Sequence, residues 1–173
     1  MNPILLSGTS NRDLSRRVSR ALNLPLGDIE ITRFIDNECR VYVKERVEGK
    51  TVVVIQSLST IADQHLVELC LIGQALKSLK AKKVIALIPW LGYSKQDKEF
   101  RKGEAVSAQL VAKFIEAAGF DTVITVELHS ENVLPYFRIP VSEVRTEDLL
   151  LKALNSRPGL ERAVVVSPDK GGM

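Results

Sequence analysis

Four short runs of this chain are apolar at nearly every position and are rich in valine and isoleucine. Strands that are covered on both sides in a parallel sheet have this composition, whereas strands with one solvated face alternate between apolar and polar residues. Segments with the 3.6-residue period of amphipathic helices separate the runs. The alternation predicts an α/β domain with a doubly wound, mainly parallel sheet and helices on both faces. The runs are VVVI (52–55), VIALI (84–88), TVITV (122–126) and AVVV (163–166).

The same patterns predict where the elements lie. Strands are predicted at Ile4–Leu6, Glu30–Ile35, Cys39–Lys44, Thr51–Gln56, Lys83–Ile88, Thr122–Glu127 and Ala163–Val166. Helices are predicted at Asn11–Leu22, Asp63–Leu79 and Ala105–Ala118, with Gly119 as the stop of the third, and a fourth follows Thr146 with Leu149, Leu150, Ala153 and Leu154 facing inward. Because Asn tolerates positive φ, the pair Asp36-Asn37 predicts a turn that makes residues 30–44 a β-hairpin on the edge of the sheet.

Composition bounds the class of protein. The chain has 173 residues with a net charge of +3, which is too small an excess for a dedicated nucleic-acid binder. We find no apolar run long enough to cross a bilayer and no signal peptide, so we expect a cytoplasmic protein without a membrane partner. Cys39 and Cys70 have no neighbouring ligands at metal-binding spacing, and we expect both to be packing residues.

Polar clusters follow four of the predicted strands, at the edge where open α/β sheets bind ligands. The clusters are Ser57, Ser59 and Thr60; Lys95, Gln96, Asp97 and Lys98; Glu127, His129 and Ser130; and Ser167, Asp169 and Lys170. Lys beside Asp and Gln suits a polyphosphate with its metal, and a His and an Asp on neighbouring strand ends could share a divalent cation. Loops at strand ends are polar in any case, which explains part of this pattern.

Several common site motifs are absent from the sequence. We find no G-x-G-x-x-G, no P-loop and no G-x-S-x-G elbow, which argues against a Rossmann dinucleotide site, a P-loop nucleotidase and a serine hydrolase. The chain has two histidines, and His65 falls at a helical register beside Leu66 and Leu69, so we expect it to be structural. His129 is the better candidate for chemistry.

Three segments together resemble ribose-phosphate diphosphokinase, also called phosphoribosyl pyrophosphate synthetase. They are FIDNE (34–38), IPWLGYSKQDKEFRKGEAVSAQLVAKFIEAAGFDTVITVELHS (88–130) and VVVSPDKGG (164–172), and the part DKEFRKGE is closer to the archaeal type of loop. The resemblance implies a fold of the type I phosphoribosyltransferase kind. It also implies a transferase, ATP:ribose-5-phosphate diphosphokinase, that moves diphosphate from Mg-ATP to ribose 5-phosphate in nucleotide biosynthesis.

The resemblance also implies roles for individual residues. Phe34, Asp36 and Glu38 match an F-x-D-x-E hairpin that holds the adenine of a neighbouring subunit's ATP, which implies a homo-oligomer. We expect these three to point to one side, as alternate residues of a strand do. Lys95, Gln96 and Asp97 match the R-Q-D triplet that contacts ATP. His129 matches the D-L-H histidine of the active site, and Asp169 matches an aspartate near Mg²⁺, so His129 and Asp169 are the predicted metal ligands.

The sequence departs from the family pattern in several places. Lys95 stands for the usual Arg, Asn37 for the usual Gly and Glu127 for the usual Asp. The family's ribose 5-phosphate loop, of the D-D-x-x-D-T-G-G-T kind, and its basic catalytic loop are missing. We therefore expect residues 1–155 to be the N-terminal, ATP-side domain and residues 156–173 to be a linker, marked by Pro158-Gly159, and the first strand of a truncated second domain.

Two other hypotheses remain open at this point. The chain could be a non-catalytic relative that assembles with full-length subunits and regulates them. It could also be an unrelated α/β nucleotide-binding domain, although this requires the order of the motifs to be coincidence.

Overall fold

The computed structural model describes residues 2–160, 163–164 and 166–167. A parallel sheet is built from strands β1, β4, β5, β6 and β7 in that order, and β2 pairs with β3 in a separate antiparallel hairpin. The strands are β1 (Ile4–Ser7), β2 (Ile29–Arg33), β3 (Cys39–Val43), β4 (Thr51–Ile55), β5 (Lys83–Ile88), β6 (Thr122–Val126) and β7 (Val141–Val144). The helices are α1 (Arg12–Leu22), α2 (Ala62–Ser78), α3 (Ser107–Ala117) and α4 (Glu147–Asn155), with a 3-10 helix at Glu131–Tyr136.

The chain reverses its direction across the sheet between β1 and β4. After α1, Leu26 forms a parallel bridge with Leu5 of β1, on the side of β1 away from β4. The later strands then follow one another in the opposite direction, so the crossover through α1 and those through α2 and α3 lie on opposite faces. The predicted doubly wound α/β fold is confirmed.

The two faces of the sheet are buried to different extents. Strand residues on the face beneath α2 and α3, such as Val54, Ala86 and Val123, are fully buried in the main core. On the other face α1 covers β1, where Ser7 donates a hydrogen bond to the buried Ser15, but Ile85 and Ile124 are only half-buried. The prediction of burial on both sides is therefore correct for one face and too strong for the other.

The hairpin β2–β3 packs against α2 and forms its own sheet, which corrects its predicted place on the edge of the main sheet. Its β-turn is closed by a hydrogen bond from Asn37 N to Phe34 O at 3.0 Å. Asn37 has φ of 69°, as the turn prediction requires. The first strand ends at Arg33 instead of Ile35 because the turn begins there.

The C-terminal part of the described chain differs most from the predictions. Helix α4 forms at the predicted place, but Leu149, Leu150, Ala153 and Leu154 are exposed rather than inward, since no other element covers them in the described part. Of the last predicted strand, Ala163, Val164 and Val166 are outside regular structure, and the rest lies outside the described residues.

Candidate functional site

The loops that follow β1 and β4 meet at the point where the chain reverses across the sheet. Open α/β sheets commonly bind ligands in this crevice. Here the chain fills it, because the carboxylate of Glu68, which is 1% exposed, accepts hydrogen bonds from Thr9 N at 2.7 Å and Gln56 Nε2 at 2.8 Å. A Cβ on Gly8 would lie 2.1 Å from the Gln56 amide oxygen, so a residue larger than glycine does not fit at position 8. The crevice therefore has a structural role in this chain.

Loop 89–106, between β5 and α3, carries the predicted phosphate-binding residues Lys95 and Gln96. Lys95 is exposed. Gln96 is half-buried and tied to the start of α3, since its side-chain oxygen accepts a hydrogen bond from the Ser107 hydroxyl at 2.9 Å and its carbonyl accepts one from Ala108 N at 3.2 Å. The start of α3 thus holds the loop in place at Gln96, while the neighbouring Lys95 is exposed to solvent.

Asp97, the third residue of the triplet, is 7% exposed and points into the protein. Its carboxylate accepts a hydrogen bond from Asn132 Nδ2 at 3.0 Å. Hydrogen bonds from Ser130 and then Asn132 hold the pKa of the Asp97 carboxyl below its ordinary value. The structure therefore brings Asp97 together with the segment that follows His129.

His129 is exposed at the carboxyl end of β6 and lines a cavity of about 140 Å³. Trp90, Leu91, Ser94, Glu127 and Leu128 form the rest of its wall. Because Trp90 and Ser94 belong to the loop after β5, the cavity lies between the two strand ends that the sequence predicts to carry the site. This neighbourhood could not be read from spacing alone, and Trp90 is a lining residue that the sequence reasoning missed.

Glu127, which also lines the cavity, is engaged by the chain itself. Its backbone is left-handed, with φ of 49°, and its carboxylate accepts hydrogen bonds from the Thr146 hydroxyl at 2.7 Å and from Thr146 N. These bonds keep the pKa of Glu127 below its ordinary value. The residue that stands for the family's aspartate thus helps to hold the strand ends of β6 and β7 together.

Phe34, Asp36 and Glu38 lie on the hairpin turn, so the expected alternation along a strand is wrong for them. Phe34 N donates to Glu38 O at 2.9 Å, and Asp36 accepts a hydrogen bond from Glu38 N at 3.1 Å. The Phe34 ring is 52% exposed and Ile35 fully so. An exposed aromatic ring at a turn is available for stacking. The alternation of side chains along a strand, however, does not place Phe34, Asp36 and Glu38 on one side.

The hairpin and the Lys95 loop are joined through the first turn of α2. Arg33 donates to Gln64 Oε1 at 3.1 Å, and the neighbouring Asp63 accepts a hydrogen bond from the Tyr93 hydroxyl. The backbone carbonyl oxygen of Tyr93 accepts a hydrogen bond from Gln96 N at 3.0 Å. A groove of about 490 Å³ lies along the junction of the hairpin and α2, and Glu38 and Cys39 line it on the hairpin side. The hairpin with the predicted adenine residues and the loop with the predicted phosphate residues are therefore linked through the first turn of α2.

The remaining predicted residues are structural or lie outside the described part. His65 is 8% exposed, and its Nδ1 lies 2.9 Å from Ser59 O, which confirms a structural position. Cys39 and Cys70 are free and partly buried, and burial raises the pKa of Cys70 to about 11. Asp169, a predicted metal ligand, lies outside the described residues.

No cluster of three or more His, Cys, Asp or Glu side chains that could hold a metal ion occurs within residues 2–160, 163–164 and 166–167. The carboxylates nearest His129 accept hydrogen bonds from the chain, as Glu127 and Asp97 do. Mg²⁺ prefers oxygen ligands and is often bound by one or two carboxylates plus substrate phosphates. The described residues fit such a site in part, since they offer the His129 imidazole but no free carboxylate beside it.

In the same ranges no helix is long and apolar enough to span a bilayer.

Comparisons with known proteins agree on one family. A ribose-phosphate pyrophosphokinase from Marinomonas sp. (strain MWYL1) is 40% identical over 171 residues, which cover 98% of this chain and 54% of the relative. One from Thermotoga maritima is 37% identical with the same coverage. The crystal structure of phosphoribosylpyrophosphate synthetase from Mycobacterium smegmatis superposes with a TM-score of 0.86 at 31% identity and covers 90% of this chain and 52% of that one.

The chain thus spans about half the length of the curated relatives it matches, and the matched part is their N-terminal half. The model of a family described as the N-terminal domain of ribose phosphate pyrophosphokinase matches residues 3–119. This range runs from β1 to the end of α3 and includes the hairpin and the Lys95 loop. The chain belongs to the ribose phosphate pyrophosphokinase family, in which it corresponds to the N-terminal domain.

Proposed function

We propose that residues 1–155 are the ATP-side domain of a ribose-phosphate diphosphokinase, which transfers diphosphate from Mg-ATP to ribose 5-phosphate. The observation that carries this proposal is the cavity between the ends of β5 and β6, which His129 lines and whose loop presents Lys95 to solvent. A lysine ammonium is a common phosphate-binding group. The exposed His129 imidazole at the same edge of the sheet suits proton transfer, or metal binding, at the transferring group.

The predicted residues other than Asp97 and Asp169 have the following roles in this proposal. Lys95 attracts the ATP phosphates and Gln96 holds the loop against α3. The exposed Phe34 stacks on the adenine of a neighbouring subunit's ATP, with Asp36 and Glu38 beside it as acceptors. His129 is the catalytic residue that faces the transferring diphosphate.

The proposed site would hold Mg²⁺ together with the nucleotide. His129 and Asp169 are its protein ligands in this proposal, and the phosphate oxygens supply most of the rest, as is usual for this ion. When bound, the ion neutralises charge on the phosphates that are transferred. The contribution of the described residues is to place one imidazole and one ammonium at the same edge of the sheet.

Activity is expected to need the other half of the protein. Diphosphoryl transfer depends on holding two substrates in line, and this chain has no sequence match to the loop that would cradle ribose 5-phosphate. We also propose that the working protein is a cytoplasmic homo-oligomer with its ATP site shared between subunits, as the exposed hairpin suggests.

The test is the release of AMP that depends on ribose 5-phosphate. We expect none from the 173-residue chain alone, and activity from the chain joined to the second half of the Marinomonas relative. His129→Ala should abolish or severely reduce that activity, whereas His65→Asn, a change at the buried histidine, serves as the matched control for loss through folding. Full activity of the joined His129→Ala protein would contradict the assignment of His129. Turnover by the chain alone would contradict the division of the site.

A further inference from the structure

Asp97 is buried in a loop that exposes two lysines close to it in sequence. Lys95 and Lys98 are exposed on the same loop, but the Asp97 side chain is 7% exposed. A carboxylate that contacts a nucleotide from a strand end needs an open face. The burial of Asp97 places its oxygens against the protein instead.

Among the described residues, the side chains that donate hydrogen bonds to Asp97 from another loop lie in one segment, which begins directly after His129. Asn132 Nδ2 donates to Asp97 Oδ2 at 3.0 Å, and Ser130 contributes, with Asn132, to the lowered pKa of this carboxyl. The Tyr136 hydroxyl donates to the Asp97 carbonyl oxygen at 2.6 Å. The loop after β5 is therefore fastened to the loop after β6 through one residue, by both its side chain and its backbone.

The segment is also fastened on the near side of His129. Leu128 N donates to Glu143 Oε1 of β7 at 2.7 Å, and Glu127 is held by Thr146. Among the described residues the His129 side chain itself forms no hydrogen bond, and it is exposed. The direction of the imidazole is consequently set by the backbone on either side of it, not by a partner of the ring.

We propose that Asp97 is a positioning residue, which fixes the segment Ser130–Tyr136 so that His129 faces the cavity beside Trp90 and Ser94. It acts through Ser130 and Asn132 and does not bind the nucleotide itself. The importance of this placement for catalysis rests on the proposed function, because only a reacting imidazole needs it. A shift of about 1 Å at such a group is enough to impair transfer.

The two histidines make the test direct, because the chain gives two sets of imidazole signals in an NMR spectrum and His65 serves as the internal control. In the nucleotide-free chain we expect Asp97→Ala to move and broaden the His129 signals while those of His65 stay. Asn132→Ala should do the same, and the double variant should move them by less than the sum of the two changes, because both remove one contact. Asp97→Asn, which keeps the shape of the side chain, should cause a smaller change.

Glu99→Gln is the matched control, since Glu99 is an exposed acid on the same loop and its side chain accepts from Gly103 N. It should leave both histidines unchanged. Unmoved His129 signals in folded Asp97→Ala and Asn132→Ala would overturn the proposal. If Asp97→Ala does not fold, Asn132→Ala decides the matter alone, because Asn132 lies at the surface.

A calorimetric titration with Mg-ATP separates the two possible roles of Asp97. A positioning role predicts that Asp97→Asn keeps the affinity within about twofold, whereas a carboxylate that binds the nucleotide would lose about tenfold. That loss, with the His129 signals in place, would also overturn the proposal. If no variant, nor the parent chain, binds Mg-ATP, the proposed function fails, while the NMR result still decides whether Asp97 positions His129.

Discussion

The Glu68 carboxylate accepts hydrogen bonds from the backbone and the hydroxyl of Thr9 and from the Gln56 amide. It lies on α2 between Leu66 and Leu69, which belong to the main core. A buried charge is tolerated only where hydrogen bonds or an opposite charge compensate its lost hydration. At this position the compensation also ties the loop after β1 to α2.

Replacing Glu68 should therefore be costly. We expect Glu68→Ala to lower the free energy of unfolding by about 3 kcal/mol, because it leaves buried donors without an acceptor. Urea denaturation followed by circular dichroism measures the change. Glu48→Ala is the control at an exposed acid and should cost less than about 0.5 kcal/mol. Equal losses in the two variants would show that the network adds nothing.

Asp97 gives a prediction about pH. Its pKa is lower in the folded chain than its ordinary value of 3.8, because Ser130 and Asn132 bond to the charged form. A carboxyl of this kind stabilises the fold above its ordinary pKa, and the contribution is lost as the pH falls through the lowered value. We expect the difference in urea midpoint between the parent chain and Asp97→Asn to shrink as the pH is lowered from 6 to about 3. A difference that stays constant over this range would contradict the assignment.

Sequence reasoning identified single residues unevenly. The helical register placed His65 correctly inside, because burial follows periodicity. It could not find the role of Glu68, since the partners Thr9 and Gln56 are 59 and 12 residues away and only the fold brings them together. It also treated Asp97 as equivalent to Lys95, although Lys95 is exposed and Asp97 is buried.

At the scale of elements, the hairpin turn is held by a residue in the left-handed region. Asn37 has φ of 69°, which costs most side chains about 1–2 kcal/mol, and β-branched residues more than others. We expect Asn37→Val to destabilise the chain by about 1–2 kcal/mol and Asn37→Gly to leave it unchanged or slightly more stable. Urea midpoints measure both, and equal midpoints for the two variants would contradict the turn geometry.

Strands and helices were predicted well where their periodicity is strong. The strand Lys83–Ile88 has the predicted bounds, and α3 ends at Ala117, two residues before the predicted stop Gly119, whose φ is 94°. Strand β7 and the 3-10 helix were missed, because VSEV is half polar and the segment before it contains Pro135. Periodicity also cannot say whether a partner is present, which is why the leucines of α4 were expected inside but are exposed.

At the scale of the whole molecule, the sequence predicts the family and the order of its motifs, and the structure links the hairpin to the Lys95 loop through the first turn of α2. The proposed function places the exposed Phe34 at the nucleotide of a neighbouring subunit, and mixed chains test this placement. We expect Phe34→Ala and Lys95→Ala chains each to bind Mg-ATP more weakly than the parent. If the site is shared, an equimolar mixture should recover part of the binding, because some mixed dimers contain one intact site.

Calorimetry of the mixture against each variant alone measures this recovery. Two separately prepared Lys95→Ala samples, mixed in the same way, are the control and should show none. A mixture that binds no better than its components would contradict a site shared between subunits, although not ATP binding itself.

The most direct test of the account is a titration of the 173-residue chain with Mg-ATP, in which calorimetry and tryptophan fluorescence measure binding. The fluorescence comes from Trp90, which is the single tryptophan and lines the His129 cavity. We expect saturable binding that changes the fluorescence of Trp90. The affinity should fall about tenfold in Lys95→Ala. It should stay unchanged in Lys82→Ala, the control variant, because Lys82 is an exposed lysine at the opposite, amino end of β5. Absence of binding, or equal binding by the two lysine variants, would contradict the assignment of this domain as the ATP side of the enzyme.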